Sequence, residues 1–240
     1  MGGADVSNCN NIAMGNSAMA ALTSGACNIA LGTEALGAAT SGAENIALGH
    51  DAMGGAAVTG ANNIAMGRCA MDALTCGACN IALGIGSLGA STSGCFNVAI
   101  GCGVLGGADL TGNFNVAIGA AAAAAMIGAG CNVAIGYTTL VSATVGIKNV
   151  AIGTSAMSGV TTGQADNNIA IGEDALKGAA GTTGNSNVAI GTDAMDALTS
   201  GACNIAIGTD ALGASESGNR NIAIGENAMG AGVTTAENTI

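Results

Sequence analysis

The chain has 240 residues, of which 42 are Gly, two are Phe, one is Tyr and none is Pro or Trp. Half of the residues are hydrophobic and 8% are charged, which excludes a disordered polyelectrolyte and predicts a folded chain with a core of small aliphatic side chains. The net charge of −11, with only 4 Lys and Arg, excludes the clustered cations that hold nucleic acid or anionic membranes.

The chain begins with MGGADVSNCNN, which contains neither a basic segment nor an apolar stretch, so no signal peptide is predicted. Gly, Asn and Thr interrupt every apolar run well short of the ~20 residues of a membrane span, and we expect no membrane insertion. One His in the chain disfavours zinc sites built on His and Ser/His/Asp triads. We therefore expect no enzyme, no catalytic residue and no cofactor.

A pentapeptide, N-[IV]-A-[ILM]-G, recurs in thirteen complete copies at intervals of 17 residues, with 18 or 19 at four places. A fourteenth copy is expected to open at Asn238 and to be cut off at Ile240. We count positions from the motif asparagine, position 0, and predict one repeat domain over residues 1–240. The thirteen asparagines are Asn11, Asn28, Asn45, Asn63, Asn80, Asn97, Asn115, Asn132, Asn149, Asn168, Asn187, Asn204 and Asn221.

A repeat this short with a strand-like motif predicts an all-β fold, a parallel β-roll or β-solenoid with 17-residue coils. Strand alternation places the side chains at +1 and +3 on one face and those at 0 and +2 on the other, and we expect the larger +1 and +3 residues to fill the coil. The Gly at +4 predicts a turn that needs either positive φ or a close approach of the backbone. Leu or Met at +8 is expected to form a second wall of the core, and a second short strand to complete each coil.

The motif asparagines are expected to stack as a ladder, in which each side-chain amide donates to the amide oxygen of the neighbouring coil. Such a ladder satisfies polar groups at a turn or a buried edge of the solenoid. We assign these residues a structural role.

Ala occupies position +2 in every copy, which indicates a strand buried on both faces. One interpretation is that identical chains associate around an axis and meet on this alanine ladder. The alternative is that Ala points into a narrow monomeric solenoid while the larger residues face elsewhere. The alanines are Ala13, Ala30, Ala47, Ala65, Ala82, Ala99, Ala117, Ala134, Ala151, Ala170, Ala189, Ala206 and Ala223.

The NIAIG and NVAIG units, the GTDAM or GTEAL segments that follow them and the Thr-Ser-Gly closures resemble the head-domain repeats of trimeric autotransporter adhesins and related phage tail-fibre repeats. The resemblance covers almost the whole chain. It implies a trimeric, left-handed parallel β-roll in which each chain contributes one roll. The chain departs from that family in having no heptad stalk, no Pro-rich neck and no membrane-anchoring barrel strands.

The nine cysteines carry three competing interpretations: small core or surface residues, disulfides, and a metal site. Cys79 with Cys95, and Cys9 with Cys27, fall on neighbouring coils, so two bridges are within disulfide reach. The CGAC segment at Cys76 is a lone CxxC without a second pair and predicts no metal or redox site.

Acidic residues recur at +6, and Asp174, Asp193 and Asp210 fall on successive coils. Stacked carboxylates repel one another, which a bound Ca²⁺ would relieve, but we expect solvated surface charge here and no metal site. In the column before the motif Asn, Phe96 and Phe114 fall on consecutive coils and are expected to stack on each other.

These observations predict a non-enzymatic structural or adhesive fibre module, extracellular, on a cell surface or virion, that presents repeated surface columns to a ligand. Its main partner is expected to be itself, as a homotrimer and as filaments stacked end to end. The alternative is a monomeric ice-binding β-solenoid, suggested by Thr at +12 in several coils, for example Thr23, Thr40, Thr75, Thr92 and Thr199.

Overall fold

The structure, a computed structural model, describes residues 10–160, 165–178, 184–230 and 237–240. These residues contain thirteen strands of three residues each and no helix. The strands are β1 Ile12–Met14, β2 Ile29–Leu31, β3 Ile46–Leu48, β4 Ile64–Met66, β5 Ile81–Leu83, β6 Val98–Ile100, β7 Val116–Ile118, β8 Val133–Ile135, β9 Val150–Ile152, β10 Ile169–Ile171, β11 Val188–Ile190, β12 Ile205–Ile207 and β13 Ile222–Ile224.

The chain divides into two compact units, Met1–Phe114 and Asn115–Ile240. In the first, β1 to β6 pair in chain order, all parallel and in register, so that motif alanines lie side by side. In the second, β7 to β13 pair in the same way. Each unit is therefore a parallel β-solenoid with coils of about 17 residues, as the repeat predicts. That residues 1–240 form one domain stays a prediction.

Each strand occupies positions +1 to +3 of the repeat, where β-branched residues favour extended backbone. The rest of each coil is a series of turns. The prediction of a second strand is therefore wrong for the described coils. The reason is left-handed backbone at three positions, −1, +6 and +8, seen in the second coil at Cys27, Glu34 and Leu36 with φ of 58°, 60° and 50°. An extended strand cannot run through such residues.

The glycine at +4 ends each strand in the conformation that the sequence predicts. All thirteen have φ between 124° and 141°, a region that L side chains rarely adopt. The backbone of the next coil also approaches closely: a Cβ at Gly49 would lie 2.7 Å from the carbonyl oxygen of Gly67. Both the φ and the contact require glycine here.

The prediction that the side chains at +1 and +3 fill the coil is wrong. The prediction that chains meet on the alanine ladder is wrong for the same reason. Twelve of the thirteen alanines at +2 are at most 2% exposed within the single chain, and Ala13 in β1 is half-buried. They line the narrow interior, so they offer no surface to a second chain. The inward orientation of Ala is therefore confirmed, and the monomeric state that the alternative adds stays a prediction. The buried members are Ala30, Ala47, Ala65, Ala82, Ala99, Ala117, Ala134, Ala151, Ala170, Ala189, Ala206 and Ala223.

The interior is completed by side chains from the turn region. Leu or Met at +8 is buried as predicted, for example Leu36, Met53 and Leu88 at no more than 1% exposure. Small residues at +7, mostly Ala, are buried beside them, as at Ala35 and Ala52. The left-handed backbone at +8 turns these large side chains inward. In several coils a second large side chain is buried with them, for example Leu74 and Leu198, so Leu, Met and the small residues around them fill the cross-section.

The register at the C-terminus differs by one residue from the sequence prediction. Thr239, not Asn238, occupies position 0 above Asn221: its N–H donates to Asn221 Oδ1 at 3.0 Å, and its carbonyl accepts from Ile222 at 2.8 Å. Asn238 has φ 58°, the value typical of position −1. The threonine therefore takes the place of the motif asparagine in the last described coil.

Candidate functional site: the outer sheet face and its margins

The asparagine ladder is confirmed, and it is more extensively bonded than predicted. Asn132 shows the arrangement: its backbone N–H and its Nδ2 both donate to Asn115 Oδ1 at 3.1 Å, and Nδ2 also donates to the carbonyl oxygen of Gly146 at 2.8 Å. Its own Oδ1 accepts the backbone N–H of Asn149 at 2.9 Å. Each side chain thus bonds to the coil before and the coil after it.

Twelve of the thirteen motif asparagines are at most 1% exposed, and Asn11 is half-buried. Buried polar groups are stable only when they are hydrogen-bonded, and here side-chain amides supply those bonds to the backbone. Because the amides point inward on the same side as the motif alanines, the ladder is structural and presents nothing to a ligand.

The surface that the sequence prediction missed is the outer face of the strands, formed by the side chains at +1 and +3. Every described strand contributes two such residues, and all of them are Ile, Val, Leu or Met. They are half-buried or exposed, with Met66 at 42%, Ile171 at 36% and Ile224 at 68% exposure. A sheet face that meets water normally carries polar residues in alternation with the core. Two continuous aliphatic columns in each unit instead make this face the candidate interaction surface.

The outer face has two margins, one at each end of the strands. We call the column at position −1 the leading margin and the column at +5 the trailing margin. Among the described residues the leading margin carries three formal charges, on Glu44, Lys148 and Arg220, all of them exposed. The trailing margin also carries three, and they are Arg68, Glu173 and Glu226, again all exposed.

Three of the four cationic residues of the chain therefore lie beside the outer face. The fourth, Lys177, is paired with Asp174, with Nζ 3.2 Å from Oδ2. In the described part of the chain Arg68, Lys148 and Arg220 form no ion pair. His50, also on the trailing margin, has Nδ1 2.7 Å from Oδ2 of Asp51.

The leading margin also holds an aromatic pair. Phe96 and Phe114 stack as predicted, with ring centroids 5.1 Å apart and an angle of 7° between the rings. Both rings are exposed, at 51% and 57%. The remaining aromatic residue, Tyr137 on the trailing margin, is 60% exposed. No aromatic residue of the chain is in its core, so these rings contribute to the surface.

The cysteines are free thiols wherever the structure describes them, so the possible bridge between Cys79 and Cys95 is not formed. Cys95 Sγ instead accepts the Ala78 N–H at 3.4 Å and lies 3.5 Å from the carbonyl oxygen of Ser93. Cys27 is an exposed free thiol, and its predicted partner Cys9 lies outside the described residues. Free thiols on exposed or half-buried positions agree with the interpretation as surface residues.

The described residues provide no set of ligands for the Ca²⁺ ion considered above. Asp174, Asp193 and Asp210 lie at +6 on successive coils, but the described residues contain no group of three or more His, Cys, Asp or Glu side chains able to hold a metal ion. Their closeness has an electrostatic effect on Asp196. Burial, and after it the carboxylate of Asp193, raise the pKa of Asp196 above its usual value, with a smaller contribution from Asp210.

The threonine column uses its hydroxyls within the chain. Thr23, Thr75 and Thr199 each donate to the backbone carbonyl oxygen of the next coil, at 2.7 to 2.9 Å. In Thr92 the hydroxyl donates to Asp109 Oδ1 at 2.8 Å. The hydroxyls therefore stabilise coil stacking, which the sequence did not indicate.

The described residues contain no helix that is long and apolar enough to cross a membrane. No family model, curated protein or solved structure matches this chain. The site is therefore assigned from its geometry and chemistry: an inward ladder that is fully bonded, and an outward aliphatic face with charged margins.

Proposed function

We propose that this chain is a non-enzymatic structural or adhesive fibre module of a cell surface or virion, and that it works as a homotrimer assembled on the outer face. One observation carries the proposal: both outward columns of the described strands are aliphatic, without a single polar side chain. Exposed apolar surface on this scale is stabilised by burial against a partner. A copy of the same chain offers a matching face.

Parallel copies around one axis suit the face better than antiparallel copies for a reason of repetition, and the number three comes from the family resemblance. Parallel copies around an axis keep equivalent coils near one level, so the 17-residue repeat of one chain follows that of its neighbours. The resemblance to trimeric autotransporter adhesin heads supports the same number and the extracellular setting. A trimer would carry 3 × −11 = −33, which favours solubility.

Adhesion in such an assembly would be multivalent. Side chains outside the outer face recur along each unit at the coil spacing of ~4.8 Å, and three chains present them together. Weak contacts to a repetitive ligand would then add, without a catalytic group or a deep pocket.

The native mass tests the assembly. For the wild-type chain we expect three times 22.3 kDa by native mass spectrometry or light scattering. The double variant Ile171→Glu/Ile190→Glu places charges on two adjacent strands of the outer face and should give single chains with an unchanged circular dichroism spectrum. Ser200→Glu, an exposed position in a turn, is the matched control and should stay trimeric. A wild-type mass of 22.3 kDa would refute the proposal.

End-to-end stacking into filaments stays a separate prediction. Neighbouring strands pair edge to edge through their backbones, as β1 does with β2, and strand edges of this kind template further strands. Electron microscopy over a rising protein concentration should show particles that lengthen; discrete particles of one size at every concentration would reject stacking. The ice-binding alternative also stays a prediction, and thermal hysteresis tests it.

A further inference from the structure

We infer that, in the assembly, the leading margin of one copy meets the trailing margin of the next copy with a step of one coil, so that Glu44 faces Arg68 and Lys148 faces Glu173 of the neighbouring chain. This inference rests on the proposed self-association and specifies its register. The occupant of the charged margins is a second copy of this chain.

The cations of this chain are scarce, and three of the four are placed beside the outer face. Arg68, Lys148 and Arg220 form no ion pair in the described part of a single chain, although the chain has 15 acidic residues. If these cations served only solubility, we would expect them beside the acidic side chains at +6 as often as anywhere else on the surface. Placement on the margins instead fits charges that find their partners on another chain.

The charges on the leading margin are opposite in sign to the nearest charges on the trailing margin at two places. Where the leading margin is acidic, at Glu44, the nearest formal charge on the trailing margin is basic, Arg68. Where the leading margin is basic, at Lys148, the nearest charge on the trailing margin is acidic, Glu173. In both cases the partner belongs to the following coil. The margins are therefore complementary to each other, and a head-to-tail arrangement of copies brings such unlike surfaces together.

The register follows from a comparison of three alignments. With equivalent coils at one level, Lys148 would face Thr154, and Glu44 would face His50, whose imidazole already contacts Asp51. A one-coil step in the opposite direction would place Lys148 opposite Tyr137 and pair no charges.

Only the forward step pairs both Glu44 with Arg68 and Lys148 with Glu173. It leaves Arg220 opposite a position beyond Ile240, whereas alignment at one level would pair Arg220 with Glu226. Two pairs thus favour the forward step and one favours the level alignment. The forward step also brings two thiols together, Cys79 on the leading margin and Cys102 on the trailing margin.

The size of the step is within reach of the side chains. Adjacent coils of a parallel sheet are ~4.8 Å apart. A modest tilt of the strands away from the plane perpendicular to the assembly axis therefore shifts one margin by one coil relative to the other. Ion pairs at the rim of an interface contribute little affinity each, but like charges in the wrong register are unfavourable. We therefore assign the margins the role of fixing the alignment of chains that the aliphatic face holds together.

Disulfide formation between chains tests the step directly, because it requires Cα atoms about 4.4–6.8 Å apart. The step variant keeps Cys79 and Cys102 and has Ser at the other seven cysteines. The level variant keeps Cys79, adds Ile85→Cys at an exposed position and replaces Cys102 as well. Both are equilibrated in a glutathione redox buffer and separated on a denaturing gel without reductant. We expect covalent trimers from the step variant and single chains from the level variant.

The native mass of each variant is measured before oxidation, which separates the two proposals. A mass of a single chain would refute both the assembly and its register. Trimers in which the level variant links, or in which both or neither variant links, would overturn the one-coil step and leave the proposed function standing. A dimer would refute the trimer of the proposed function, and the disulfide result would still decide the register, because two parallel copies related by a two-fold axis also bring leading margin to trailing margin.

Charge exchange gives a second measurement that does not depend on cysteine. Glu44→Arg should raise the protein concentration at which trimers half-dissociate by about tenfold or more at low salt, because three like-charge contacts replace three ion pairs. Adding Arg68→Glu should restore the wild-type value. Absence of this rescue would contradict the pairing of these two residues.

Discussion

Asn45 Oδ1 accepts two hydrogen bonds from Asn63, one from its backbone N–H at 2.9 Å and one from its Nδ2 at 3.1 Å. The same Nδ2 donates onward to Gly77 at 2.9 Å. One buried side chain thus joins three successive coils, and removing it leaves donors and acceptors without partners on both sides.

We expect Asn63→Gly to lower the free energy of unfolding by about 2–5 kcal/mol, because it leaves buried backbone groups unsatisfied and adds backbone freedom. The matched control is Asn62→Gly at the preceding, exposed position. There φ is 61°, which Gly adopts readily, so the change should stay within about 0.5 kcal/mol. Urea denaturation of both variants measures the difference, and equal losses would contradict the ladder's role.

Gly49→Ala should prevent folding or lower stability by more than about 3 kcal/mol, since φ is 138° and the new Cβ would lie 2.7 Å from the carbonyl oxygen of Gly67. Gly86→Ala provides the comparison. Gly86 has φ 63° with no atom near the new Cβ, so the expected loss is about 1 kcal/mol from left-handed backbone alone. Thermal unfolding followed by circular dichroism ranks the two, and a smaller loss at Gly49 would count against the close approach of the coils.

Asp196 predicts a pH dependence of stability. Burial and the carboxylate of Asp193 raise its folded pKa above the unfolded value of 3.8, so the ionised form disfavours the fold at neutral pH. Asp196→Asn should therefore raise stability at pH 7, by less than about 1 kcal/mol because the group is half-exposed. The gain should shrink as pH falls through the raised pKa and vanish below the unfolded pKa.

Denaturation of wild type and variant across this pH range measures the effect. Asp72→Asn is the control at the same repeat position, in a coil that carries Cys69 rather than an acid at +6. It should give a smaller gain at pH 7. A gain from Asp196→Asn that stays constant down to pH 3 would contradict the electrostatic origin.

The inward orientation of the alanines is tested by one substitution on each side of a strand. Ala189→Leu adds three carbon atoms inside the narrow coil and should cost about 1–3 kcal/mol or more, with the mass of the assembly unaffected where the chain still folds. Val188→Leu on the outer face should change the stability of the single chain by less than about 1 kcal/mol. The opposite order of effects would restore the alanine ladder as an interface.

The repeat predicts the solenoid and its strands because strand alternation and the glycine at +4 are local properties. Alternation also places Asn28 and Ala30 on one face and Ile29 and Leu31 on the other. It does not determine which face is inside. Larger side chains were expected in the core because they bury more apolar area, whereas the tight coil has room only for alanine beside the asparagine ladder.

A signal for the correct orientation is present in the sequence. An asparagine that repeats in every coil and bonds along a ladder belongs inside, and the alanine two residues later shares its face. The left-handed backbone at +8 could not be predicted, since Leu and Met there give no local preference for positive φ. Tertiary packing imposes it by drawing Leu36 and its equivalents inward.

The identical bonding of successive coils has a consequence for inheritance. Removal of residues 188–204 would join Asn187 to Ile205 and regenerate an intact N-I-A-I-G unit, with the remaining amides still able to bond to the coils on either side. Unequal recombination between such repeats would therefore shorten or lengthen the encoded chain in whole-repeat increments without introducing a misfolded junction. The length of the solenoid could therefore change by one coil at a time while the structure of every remaining coil stays the same.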